Sequence, residues 1–174
     1  MNNNEKISDS ILADAIRSSD SAAFKILFFR YYDPLYYFLC QRIRSSDLAQ
    51  DFVQEVFTRV WQTRDRLDSK QSVKAYLYRI AHNLVVDHLR KRSSHKQYQS
   101  ELYHRTASVE GSWDTKLSVQ DAISQLPEKL LTVFILSRYQ GLTYLEIAEA
   151  CRISVKTVES RISQALRLLR KELG

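Results

Sequence analysis

The sequence predicts an all-α protein made of two small helical domains joined by a linker. Three observations carry that prediction. The 174 residues include only three Gly and two Pro, too few turn residues for the many reversals of an all-β fold, so long helices are favoured. Apolar residues recur at helical spacing through most of the chain. The periodicity lapses once, over the polar stretch Ser93 to Trp113, which reads as a linker with room for a short helical piece. The expected division is residues 1–92, a linker over 93–114, and a second domain over 115–174.

The first element is "SDSILADAIRS", with Ile11, Leu12, Ala15 and Ile16 at helical spacing behind polar caps. Asp20 then makes a good N-cap for an aromatic-rich helix. Pro34 is expected to break or restart that helix, because it has no N–H to donate, with "LYYFLCQRI" continuing beyond it. Aromatics at this spacing read as core. The next helix runs from about Asp47 to Arg64. Phe52, Val53, Val56, Phe57 and Val60 cluster on one side of its wheel, and Asp51, Gln54, Glu55 and Thr58 fall on the other. A polar loop, Arg64 to Ser72, leads into "VKAYLYRIAHNLVVDHLRKR", with Leu77, Ile80, Ala81, Leu84 and Val85 inward. Its basic end is also what a helix C-terminus prefers, so the cations alone say little about nucleic acid.

In the second half, "KLSVQDAISQLP" reads as a helix ending before Pro127, and "EKLLTVFILSRYQG" as one stopped at Gly141. Then comes "LTYLEIAEACRISVKTVESRISQAL". Thr143 with Glu146 three residues on is a capping box. "CRIS" is the turn, and Ser154 caps the following helix. In that helix Val155, Val158, Ile162, Ala165, Leu166 and Leu169 line one side, and Lys156, Ser160, Ser163, Gln164 and Arg167 the other. A helix with one apolar stripe and short polar side chains near its N-terminus suits insertion into a major groove. Lys156, Arg161 and Arg167 could hold phosphates, and Thr157 and Ser160 could reach base edges. The rival is an amphipathic hairpin in a bundle. Arg152 occupies the turn position where such motifs usually carry Gly, so it is expected at positive φ at a cost of about 1 kcal/mol.

The formal net charge is +6 and the pI about 9.3, which suits a polyanionic partner without demanding one. The surplus is +4 over residues 1–92 and +3 over 116–174, against −1 between them. Cys40 and Cys151 lie far apart inside expected helices and read as buried reduced thiols. No signal peptide is visible in "MNNNEKISDS", and no apolar run approaches a membrane span of ~20 residues. A cytoplasmic protein without membrane insertion is expected.

"DLAQDFVQEVFTRVWQ" followed by "SVKAYLYRIAHNLVVDHLRKR" resembles region 2 of bacterial sigma factors. "AISQLPEKLLTVFILSRYQGLTYLEIAEACRISVKTVESRISQALRLL" resembles their region 4. Two unrelated patterns in this order and spacing, over about residues 10–172, mark the chain as similar to extracytoplasmic-function (ECF) sigma factors of the sigma-70 family. The resemblance implies a non-enzymatic transcription initiation factor that binds core RNA polymerase and promoter DNA, with no cofactor or metal, and with an anti-sigma factor as regulatory partner. It implies that Asp51, Gln54 and Glu55 dock on the polymerase. It assigns the −10 element to the loop Arg66 to Ser72 with Lys74, Tyr76, Arg79 and Asn83, and nearby backbone to His88, Arg90 and Lys91. Extruded bases need stacking surfaces and a cationic groove, which these residues offer. Tyr76 stands where Trp is often found. Without the resemblance, Tyr76 and Tyr78 read as partly core, and the face of Asp51, Gln54 and Glu55 as solvated surface.

The resemblance assigns the −35 element to Lys156, Thr157, Glu159, Ser160, Arg161, Ser163 and Gln164. Glu159 and Gln164 stand where many relatives carry Arg or Lys. Glu159 lies about 75° from the centre of the apolar stripe. It could pair with Lys156, or accept from a cytosine amino group.

Two rivals carry different functions. "LTYLEIAEA" also resembles the C-terminal helix-turn-helix of response regulators and quorum sensors, but those carry α/β domains upstream, and no alternating strands are legible before residue 92. A di-iron enzyme needs Glu-x-x-His on two helices. Glu101 to His104 is one match, and no second was found; His82 and His88 are spaced wrongly for one helical face.

Overall fold

The computed structural model describes residues 7–43, 45–100 and 119–173, with side chains of the long central helix described as far as Arg92. These residues form eight α-helices and a short 3-10 turn, with no strand among them.

Helix α1 (Asp9–Arg17) is capped by the Ser8 hydroxyl and is followed, past its C-cap Ser18, by Ser19 at φ 67. Its Asp9 carboxylate accepts from the Arg30 guanidinium at 2.5 Å and from the Tyr31 hydroxyl, tying α1 to α2. Helix α2 (Ser21–Ile43) starts where Asp20 accepts from the backbone N–H groups of Ala22 and Ala23 at 2.8 and 3.1 Å. Pro34 sits inside this single helix rather than breaking it. The proline forgoes one backbone bond, but Tyr31, Leu35, Phe38 and Leu39 around it are buried, and their packing holds the flanking turns in line.

Helix α3 (Ser46–Gln62) buries Ala49, Val53, Val56, Phe57 and Val60. Phe52, expected among them, is only half-buried and meets the His88 ring edge-on at 5.9 Å. The 3-10 turn Arg64–Arg66 opens the loop to α4 (Val73–Ser100). Leu77, Ile80, Ala81, Leu84 and Val85 are buried as the periodicity requires. The helix runs on to Ser100, through residues read from sequence as the start of the linker. Polar residues such as Ser, Gln and Lys do not stop a helix without Gly or Pro, so its extension is invisible to apolar periodicity. The remainder of the expected linker, with Glu101 and His104, lies outside the described residues.

The second group begins with α5 (Val119–Ser124) and α6 (Glu128–Arg138), separated by Gln125, Leu126 and Pro127. Gly141 holds φ 62 after α6, the left-handed stop that a glycine provides at least cost. Helices α7 (Tyr144–Cys151) and α8 (Val155–Leu173) form the hairpin. Thr143 and Glu146 make the full capping box, Arg152 holds φ 54, and the Thr157 N–H donates to the Ser154 hydroxyl at 3.1 Å. Val158, Ile162, Ala165 and Leu169 are buried, while Val155, expected inward, is exposed.

Helices α4 and α7 pack closely, and α2 touches α6, so the two groups share a seam. Arg42 of α2 is buried there, pairs with Glu128 and donates to the Thr132 hydroxyl. Burial pulls its guanidinium down to about 10. The buried Tyr78 hydroxyl donates to the Gln140 side-chain amide oxygen at 2.7 Å.

Candidate nucleic-acid interface

The outer face of α3 carries Asp51 and Gln54 in solvent, with Glu55 half-buried beside them. Glu55 is not free surface: it accepts from Arg59 one turn on, at 2.6 Å. Beside this face Phe24, Phe28, Phe57 and Trp61 line an apolar groove of about 450 Å³, with Gln54 and Thr58 at its edge. The aromatics of α2 were read as core, yet part of their surface opens here.

The loop after α3 and the first turns of α4 enclose a second cleft of about 220 Å³, lined by Thr63, Arg66, Leu67, Asp68, Gln71, Ser72, Val73, Tyr76 and Arg79. Its shape is set by local bonds. Asp68 accepts from the Lys70 N–H at 2.9 Å and from the Gln71 side-chain amide at 3.1 Å. Ser72 caps α4 by accepting from the Ala75 N–H at 3.1 Å. The Tyr76 and Thr63 hydroxyls lie 2.8 Å apart, and the Arg79 guanidinium stands 5.1 Å from the Tyr76 ring centre. An aromatic face under a cation, in a half-enclosed cleft with polar walls, is a place where an unstacked base can be held. Tyr76 is half-buried here, whereas Tyr78 is wholly core.

The other residues expected near this site are spread along α4. Asn83 is half-buried. His88 leans on Phe52, Arg90 pairs with Asp87 at 3.2 Å, and Lys91 is exposed. At ~1.5 Å per residue the helix strings them out from about 6 Å beyond Arg79 at Asn83 to about 18 Å at Lys91, as a track and not a pocket. Lys74 turns the other way and reaches the Gly141 carbonyl oxygen at 3.4 Å.

On α8, Lys156, Glu159, Ser160, Ser163 and Gln164 are exposed, and Thr157 is half-buried against the Ser154 cap. Gln164 donates to the Ser160 hydroxyl at 3.0 Å. Arg161 is less exposed than these: it is half-buried, and its charge acts on His82 and Cys151. The two cysteines are free and half-buried, less enclosed than expected, and burial pushes the Cys151 thiol up to about 11.

Sequence reasoning missed the seam contacts. Ser72 donates to the Glu146 carboxylate at 2.6 Å while Glu146 also serves the Thr143 cap. Burial alone would raise that carboxyl; the bonds from Ser72 and Thr143 outweigh it and hold it below the usual range. The capping box was legible, but not its use by a residue 74 positions away.

Comparison with known proteins follows the same division. Residues 27–95 match the model for Sigma-70 region 2, and residues 116–169 that for Sigma-70 region 4. The chain is 29% identical to the ECF RNA polymerase sigma factor SigW of Bacillus subtilis, over 91% of this chain and 92% of that one. It is similar to the structure of CnrH in complex with the cytosolic domain of CnrY, at 25% identity and a TM-score of 0.73, over 95% of this chain and 96% of that one. The sigma factor RpoE in complex with the anti-sigma factor NepR from Bartonella quintana gives 25% identity and a TM-score of 0.70, over 86% and 96%. The all-helical architecture, the hairpin with its capped second helix and the paired region matches place the chain in the sigma-70 family, as a non-enzymatic sigma factor of the extracytoplasmic-function type.

Proposed function

We propose that this sigma factor directs core RNA polymerase to promoters through three separate surfaces. Asp51, Gln54 and Glu55 on α3 dock on the polymerase. The cleft of Tyr76 and Arg79, with Asn83, His88, Arg90 and Lys91 along α4, receives the −10 element, and Lys74 joins them once its contact with the Gly141 carbonyl oxygen is released. Lys156, Thr157, Glu159, Ser160, Arg161 and Gln164 on α8 meet the −35 element. The division of labour follows residues 1–92 and 115–174, with 93–114 between them.

The observation that carries this reading is the cleft, where an aromatic ring, a guanidinium and hydrogen-bonding walls converge beside a basic helix. An anti-sigma factor is the proposed regulator, supported by the likeness to chains solved in complex with such partners. The cytoplasm is the proposed location; among the described residues no helix is long and apolar enough to cross a membrane. In vitro transcription with core polymerase and a pool of genomic promoter fragments tests the reading. Discrete start sites that depend on the added chain are expected, and their absence overturns it. Substitution of Tyr76 by Ala should weaken open-complex formation while leaving core binding intact.

A further inference from the structure

The first two turns of α8 carry one acidic side chain, Glu159. Measured from the buried stripe of Val158, Ile162, Ala165 and Leu169, Glu159 and Arg161 lie on opposite flanks of the helix. Arg161 is half-buried, but Glu159 is exposed. The obvious local partner is Lys156, one turn back. This chain forms such short-range pairs elsewhere: Asp14 with Arg17, Glu55 with Arg59 and Asp87 with Arg90. Lys156 and Glu159 do not pair, and among the described residues the Glu159 carboxylate has neither an ion pair nor a hydrogen bond. Its neighbours Ser160 and Gln164 are bonded to each other, and Thr157 to the cap.

The first two turns therefore present an unpartnered group that can only accept. Phosphate oxygens offer it nothing but repulsion. Base edges in a major groove offer two kinds of donor, the N4 amino group of cytosine and the N6 amino group of adenine. Adenine sets its N7 acceptor beside that amino group, which suits an amide with both donor and acceptor but repels a carboxylate. Cytosine presents the amino group without an adjacent acceptor on the same base.

We propose that Glu159 is a specificity-determining residue that accepts a hydrogen bond from the N4 amino group of a cytosine in the −35 element. The proposal rests on the reading of α8 as the −35 helix. It turns a position that weakens attraction to phosphate into one that selects a base.

The test uses holoenzyme assembled from core polymerase and the full chain, selecting from a promoter library randomised over the −35 element. The wild type is compared with Glu159→Ala and Glu159→Gln. Glu159 is exposed, so both variants should melt with the wild type. The wild type should enrich a C·G pair at one position. Glu159→Ala should lose about tenfold of that discrimination there and nowhere else, on the scale of one base contact. Glu159→Gln should shift the same position toward adenine. If both variants keep every wild-type preference and only gain affinity uniformly, the carboxylate merely repels backbone and the proposal fails. A wild type with no preference anywhere in the randomised element would overturn the reading of α8 itself, an outcome distinct from failure at Glu159 alone.

Discussion

Burial, with the fields of Arg42 and Arg161 added, pulls the His82 imidazole from its ordinary 6.5 down to about 4. The folded chain thus holds His82 neutral where the unfolded chain would protonate it. Stability from this group is full above about pH 6.5 and drains as pH falls toward 4, because the unfolded state binds the proton first. On the order of 2 kcal/mol should be lost from this group between pH 7 and pH 5. Urea denaturation at the two pH values checks it, and His82→Gln should flatten the difference. Nothing in the sequence announced this. His82 reads from spacing as one more polar position on α4, and its environment comes from α2 and α8. Arg152 and Ser154 were legible for the opposite reason, since a left-handed turn residue and an N-cap are decided by their immediate neighbours.

Among elements, the hairpin was the most readable and α2 the least. The capping box of α7 depends on two residues three apart, and the structure forms both of its bonds. Thr143→Ala should cost about 1 kcal/mol, and thermal melting should show it as a drop of roughly 2–4 °C. An unchanged melt would mean that contacts across the seam, not the cap, hold the start of α7. Helix α2 misled because Pro34 is a local stop signal overruled by packing, which single-residue chemistry does not encode. The end of α4 misled in the other direction, as polar residues without apolar periodicity continued a helix. At the candidate site, Tyr76 and Arg79 were singled out through the resemblance and line one cleft, but Asp68 and Gln71, which shape that cleft, were only part of an undifferentiated loop.

For the whole molecule, the all-α class and the two groups of helices were readable, while the seam was not. Its polar members come from distant positions: Arg42 with Thr132, Ser72 with Glu146, Tyr78 with Gln140. Each looks unremarkable in its own helix. Arg42 is the informative one to remove, because its side chain is out of solvent while Glu128 is half exposed. Arg42→Met should leave both groups of helices folded by circular dichroism and loosen their association. Small-angle scattering should show a larger radius of gyration, and a protease should cut the intervening segment faster. Unchanged scattering and cleavage would mean that the α4–α7 contact suffices alone.

The bond between Ser72 and Glu146 has an arithmetic consequence. It joins the edge of the proposed −10 cleft to the first helix of the hairpin at 2.6 Å. On the proposed assignment of the cleft to the −10 element and of α8 to the −35 element, the two targets lie ~25 base steps apart by name, roughly 85 Å of duplex at ~3.4 Å per step. On that assignment a molecule with this bond made does not span both elements, so closure and promoter binding draw on the same population. Every ~1.4 kcal/mol by which the closed form is favoured lowers apparent promoter affinity tenfold, and by reciprocity promoter binding shifts the seam toward opening by the same free energy.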